Sequence, residues 1–107
     1  ALIRQKTGIP CEVISGNLEA ELIFEGVRTV YAFTEKPVLV LDIGGGSVEF
    51  ILGKKDGILW KQSFEIGAQR LYDRFHQLDP IPPYHQQMLM EYLDSELQPL
   101  HDWLQRY

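Results

Sequence analysis

Hydrophobic and polar positions divide the chain into blocks of different period. Four aliphatic residues, Val38 to Leu41, follow one another without polar alternation, the pattern of a strand buried on both faces. An alternating pattern begins at Glu49 and runs through Phe50, Ile51 and Leu52, which predicts a second strand. Lys55-Asp56-Gly57 is a tight-turn signal, so Ile58 to Phe64 becomes a third strand, antiparallel to the second. Residues 38–66 thus read as a three-stranded meander. The flanking blocks have helical period. After Ser15-Gly16, the residues Ala20, Ile23, Phe24 and Val27 fall at i, i+3, i+4 and i+7, an apolar stripe that Gly26 should end. Gly67 breaks the third strand, and a helix from Ala68 shows Leu71, Tyr72 and Phe75 on one face.

Beyond Asp79-Pro80-Ile81-Pro82-Pro83, a stiff loop that pre-sets a helix start, Leu89, Leu93, Leu97, Leu100 and Leu104 step by three and four. Pro99 should kink or interrupt that helix, and Trp103 and Tyr107 should pack with it. At the other end, Ala1 to Lys6 reads as the last turns of a helix capped at Gly8, and Cys11 to Ile14 as a short strand. The polar Thr34-Glu35-Lys36-Pro37 marks a boundary between two lobes, 1–36 and 37–107. The chain opens in a helix tail and ends inside a helical pattern, so a segment of a longer polypeptide is expected.

Composition changes this picture little. Of 107 residues, 45% are hydrophobic and 23% charged, an ordinary globular balance. A net charge of −5 without clustered Lys or Arg argues against a nucleic-acid surface. The single cysteine, Cys11, cannot form an internal disulfide, which fits a reducing cytoplasm. No stretch is long and apolar enough for a membrane span, and no signal peptide is visible. His76, His85 and His101 have no metal-ligand spacing and read as surface or packing residues.

The candidate chemistry sits between the first two strands. Asp42 ends an apolar run, Gly44, Gly45 and Gly46 follow, Ser47 adds a hydroxyl, and Glu49 supplies a second carboxylate. Glycines let successive N–H groups approach an anion, so this reads as a phosphate cradle flanked by carboxylates suited to a divalent metal. A simple tight turn is the alternative for the glycines, and the acids at both ends weigh against it. The loop lacks Gly-Lys-Ser/Thr, so it is not a P-loop. Glu49 stands where a dinucleotide fingerprint needs its third glycine. In the preceding helix Ser15 is a plausible N-cap. Glu19 complements the helix dipole there whatever else it does. Arg70 reads as solvated and Gly67 as a junction residue.

Two stretches together, Val13 to Val27 and Leu41 to Glu49, resemble the exopolyphosphatase / guanosine pentaphosphate phosphohydrolase (Ppx/GppA) family. Gly67-Ala68-Gln69-Arg70-Leu71 is similar to that family's Gly-Ala-x-Arg-Leu run. The resemblance implies an α/β, ribonuclease H-like (actin-like ATPase) fold, here the end of lobe one plus the meander and helices of lobe two. It implies Glu19 as the catalytic residue, the second Glu of the family's Ser-Gly-x-Glu-Glu-Ala. By the same resemblance Gly44, Gly45, Gly46 and Ser47 bind phosphate. Asp42 and Glu49 are expected to hold Mg²⁺ or another divalent cation. The implied activity releases terminal orthophosphate from inorganic polyphosphate or guanosine pentaphosphate in the cytoplasm, with a homodimer left open. The first phosphate loop and the rest of lobe two would lie outside this chain. Leu18, Glu21 and Val48 depart from the family's usual Glu, Arg and Thr. The rival readings are an ATP-binding kinase and a non-catalytic nucleotide-binding module of the same superfamily.

Overall fold

The computed structural model describes residues 2–106. Helices α1 (Leu2–Thr7) and α2 (Gly16–Arg28) precede strands β1 (Val38–Ile43), β2 (Val48–Lys54) and β3 (Gly57–Phe64). Helices α3 (Ala68–Phe75), α4 (Pro83–Glu96) and α5 (Gln98–Leu104) follow. The strands form one antiparallel sheet in the order β1-β2-β3, as the pattern predicts. Gly57, at φ +132°, closes the β2–β3 turn in a conformation L side chains resist. Gly8, at φ +73°, ends α1 by donating its N–H to the Arg4 carbonyl at 2.9 Å.

Strand alternation sends β2 side chains into two separate cores. On one face Val48 and Phe50 join Phe64, Ile66 and Leu100, with Leu71, Tyr92, Leu93 and Leu97 packed around them from the C-terminal helices. On the other, Ile51 meets Ala20 and Phe24 of the predicted α2 stripe, with Ile23, Phe33, Val40 and Ile58 around them. The ring of Phe24 lies directly over Gly53, where a Cβ would come within 2.2 Å of Cε2. This second cluster binds α2 to the sheet and so fixes where the N-terminus of α2 points.

Several expectations change. The strand expected to be buried on both faces is an edge strand: Leu41 is 48% and Ile43 68% exposed. The central strand is β2, buried from Val48 to Gly53, and β1 shares cover with it only along its first half. Cys11 to Ile14 forms no strand; no described strand runs alongside to complete a ladder, and Val13 is fully exposed. Gly26 does not end α2, which continues to Arg28, where the Thr29 hydroxyl donates to the Gly26 carbonyl at 2.7 Å. Tyr72 is exposed rather than on the packed face of α3.

The final helix divides at Leu97 into α4 and α5, with Pro99 in the first turn of α5, where a missing N–H costs nothing. Trp103 stacks on Trp60 of β3 with centroids 5.3 Å apart; Tyr107 lies outside the described residues. Among the described residues no helix is long and apolar enough to cross a membrane.

Candidate functional site

The glycine loop is held from behind by α3. The carbonyl of Gly44 accepts the N–H of Ala68 at 2.9 Å, that of Gly45 the N–H of Arg70 at 3.0 Å, and that of Gly46 the N–H of Gly67 at 3.0 Å. The loop thereby supplies acceptors to the otherwise unsatisfied first turn of α3. All three peptide links are trans, so each following N–H points the opposite way from its carbonyl. The N–H groups of Gly45, Gly46 and Ser47 therefore face away from α3, and none has a hydrogen-bond partner among the described residues. Gly67 makes the close approach possible, because a Cβ there would lie 2.4 Å from the carbonyl carbons of Gly45 and Gly46.

The acids sit in one row across the sheet. Asp42 is opposite Glu49, and Glu49 opposite Ser63, so all three side chains share the face that α2 covers. Asp42 is exposed. Glu49 is only 2% exposed and accepts one hydrogen bond, from Ser63 Oγ to Oε1 at 2.7 Å. Its Oε2 has no hydrogen-bond donor among the described residues. A carboxylate mostly withdrawn from solvent, with its second oxygen unpaired among the described residues but still touched by solvent, beside a second carboxylate, suits a hard divalent cation. Among the described residues no three acidic, His or Cys side chains converge. Such an ion would complete its shell with water or phosphate oxygens, as magnesium usually does.

Helix α2 brings its N-terminus to the same row. Ser15 caps it, accepting the Leu18 N–H at 3.2 Å. Gly16 lies against Ser63 so closely that a Cβ would sit 2.6 Å from that of the serine. One turn on, Glu19 projects into a polar cavity of about 490 Å³ lined also by Ser15, Asn17, Ser47, Ser63 and Glu65. Glu19 and Ser47 thus share one cavity. Gly45 and Gly46 instead line a shallower cavity on the α3 side with Arg70, while Asp42 lines neither.

Sequence reasoning missed two contributors. Arg70 is not merely solvated: its Nε donates to the Gly46 carbonyl at 2.9 Å and its Nη2 pairs with Glu65 at 2.5 Å. Ser63 carried no signal on its own. Its meaning comes from a register two strands wide.

A three-stranded sheet with a glycine loop after its first strand, clamped by a following helix, here forms part of an actin-like ATPase fold. The chain belongs to the Ppx/GppA phosphatase family, whose model matches residues 1–106. It is similar to the exopolyphosphatase of Cytophaga hutchinsonii, with a TM-score of 0.91 and 49% identity over 99% of this chain and 34% of that one. The Ppx/GppA structure from Aquifex aeolicus matches with a TM-score of 0.73 and 27% identity, over 92% of this chain and 32% of that one. Exopolyphosphatase 1 of Mycobacterium tuberculosis is 35% identical over 95 residues, 89% of this chain and 28% of that protein. The chain therefore spans about a third or less of the length of these relatives.

Proposed function

We propose that this chain carries part of the active site of a phosphoanhydride hydrolase. It would release terminal orthophosphate from inorganic polyphosphate, with guanosine pentaphosphate as the second candidate substrate. The observation that carries this reading is the set of three loop N–H groups turned away from α3 at Gly45, Gly46 and Ser47, with Ser47 in the cavity that holds Glu19. These amides, with the Ser47 hydroxyl, would donate to the terminal phosphoryl oxygens and offset the charge that builds on them. Glu19 would orient a water molecule and accept its proton as the water oxygen bonds to phosphorus. The bridging P–O bond breaks, and the chain leaves one phosphate shorter.

The cavity is lined by Glu19 and Glu65 and by no Lys or Arg. A polyanion entering it needs a counter-charge. Asp42 and Glu49 would hold a divalent cation, Mg²⁺ in the simplest case, and this ion supplies charge neutralisation at the phosphate when bound. The relatives named as exopolyphosphatases support the substrate class. We further propose that residues 1–36 and 37–107 contribute to two lobes facing across this cleft. Sequence beyond this chain would complete the site, in a cytoplasmic protein.

The test is orthophosphate release by the full-length protein containing this chain, with Mg²⁺ and either long-chain polyphosphate, guanosine pentaphosphate or ATP. Release from polyphosphate, lowered at least about 100-fold by Glu19→Gln, is the expected result. Release that survives Glu19→Gln undiminished would remove Glu19 from the mechanism. Release from ATP alone would replace a phosphatase with an ATP-using relative.

A further inference from the structure

Arg70 is the one cation tied directly to the glycine loop by a hydrogen bond among the described residues. Its guanidinium uses two edges at once. Nε donates to the Gly46 carbonyl at 2.9 Å, and Nη2 pairs with the Glu65 carboxylate at 2.5 Å. Nη2 also passes close over the loop, 3.8 Å from where a Gly46 Cβ would be. The fork is therefore laid across the back of the loop, anchored by Glu65 from the end of β3 and by its own helix. Its backbone N–H adds a second tie, to Gly45.

The carbonyl that Arg70 grips belongs to the peptide unit whose other end is the Ser47 N–H. That N–H is trans to the carbonyl and points to the opposite side of the loop. A charge-assisted hydrogen bond to a peptide oxygen does two things to the far N–H. It adds a second hold on the plane of a peptide whose carbonyl already accepts the Gly67 N–H at 3.0 Å. It also draws electron density toward the oxygen, which leaves the N–H a stronger donor.

We propose that Arg70 is a positioning residue for anion binding, acting through the Gly46–Ser47 peptide and not by touching the phosphate. Glu65 holds the guanidinium in place and balances its charge. This inference rests on the reading of the glycine loop as a phosphate cradle, but the hold of Arg70 on the Ser47 amide is measurable without it.

The experiment uses the full-length protein containing this chain, ¹⁵N-labelled, with inorganic tripolyphosphate as the probe in the presence and absence of Mg²⁺. In the free protein, Arg70→Met should move the Ser47 amide proton upfield and speed its exchange, with α3 otherwise unperturbed. Tripolyphosphate should shift the Gly45, Gly46 and Ser47 amides of the unaltered protein. Arg70→Met should weaken that binding about tenfold, the scale of one hydrogen bond from a charged donor. Glu65→Gln keeps the bond to Gly46 and should cost less than about threefold. Arg70→Lys keeps the charge but lacks the fork and should fall between; it carries the test should the methionine variant not fold. A Ser47 amide that stays where it is in a folded Arg70→Met or Arg70→Lys protein overturns the inference. So does tripolyphosphate affinity that is the same with and without the arginine. Loop amides of the unaltered protein that ignore tripolyphosphate would instead sink the cradle reading, while the Ser47 shift in the free protein still decides the role of Arg70 in holding the loop.

Discussion

Ser63 Oγ donates to Glu49 Oε1 at 2.7 Å, joining β3 to a carboxylate that is 98% withdrawn from solvent. A buried acid must find partners or lose its charge, and this hydroxyl is the one hydrogen-bond donor Glu49 has among the described residues. Ser63→Ala removes it while keeping the Cβ that lies against Gly16. The expected cost is about 2 kcal/mol in urea unfolding, the range for a hydrogen bond to a charged group. Glu49→Gln keeps an oxygen for Ser63 and should unfold within about 1 kcal/mol of the original protein. If Glu49 is a cation ligand, the same variant should respond far less to added Mg²⁺ in the phosphate-release assay. A Glu49→Gln protein with undiminished Mg²⁺ dependence would take Glu49 out of the metal site.

Gly67 tests the clamp from the other side. A methyl group here meets backbone, 2.4 Å from Gly45 and Gly46, and backbone cannot swing aside as the end of a long side chain can. Gly67→Ala should cost roughly 1–3 kcal/mol, as overpacking does. It should also separate the loop from α3, so that the amides of Ala68 and Arg70 lose protection from hydrogen exchange. Gly26→Ala is the matching control, because nothing lies within 4 Å of a Cβ at that helical position. It should be neutral or stabilising by up to about 1 kcal/mol.

What could be read beforehand follows from which signals are local. The meander was legible because Lys55-Asp56-Gly57 is a turn with its own chemistry and the strands on either side have a clear period. The helix stripe of Ala20, Ile23 and Phe24 was legible for the same reason, and it packs as expected. The burial of Val38 to Leu41 was misjudged because an aliphatic run looks alike in a central strand and at an edge. Only the strand order, in which β2 is central, distinguishes them. At the candidate site, Asp42, Glu49 and the three glycines stand out by type and spacing, whereas Glu19 is singled out only by the resemblance to the family motif. Ser63 and Arg70 do not stand out. Their roles come from a cross-strand register and from a guanidinium folded back over a loop 24 residues earlier in the chain.

Ser15 joins stability to charge at the cavity. Its hydroxyl caps α2, and it lines the same space as Glu19. Ser15→Ala should cost about 1 kcal/mol through the lost cap. Ser15→Asp restores a cap that suits the helix dipole and should recover that stability. It also adds a further carboxylate to a cavity already lined by Glu19 and Glu65. The KM for polyphosphate should therefore rise with Asp while thermal stability does not fall. Equal KM values for the serine and aspartate proteins would mean that the polyanion does not pass the mouth of this cavity.

The packing of Phe24 on Gly53 provides the check on how α2 is held over the sheet. Phe24 is 1% exposed, and its ring occupies the space a side chain at position 53 would need, with Cε2 2.2 Å from that Cβ. Phe24→Ala should cost about 3–5 kcal/mol through the cavity it leaves. Gly53→Ala should cost roughly 1–3 kcal/mol by forcing the ring out of place. The two losses share one volume, so they should not add: in the double variant the new methyl group enters space the ring has vacated. The double variant should be at least about 1 kcal/mol more stable than the sum of the single effects requires. Strict additivity in urea unfolding would mean that the ring and the glycine do not meet in solution, and that α2, with Glu19 on it, is held to the sheet by something other than this contact.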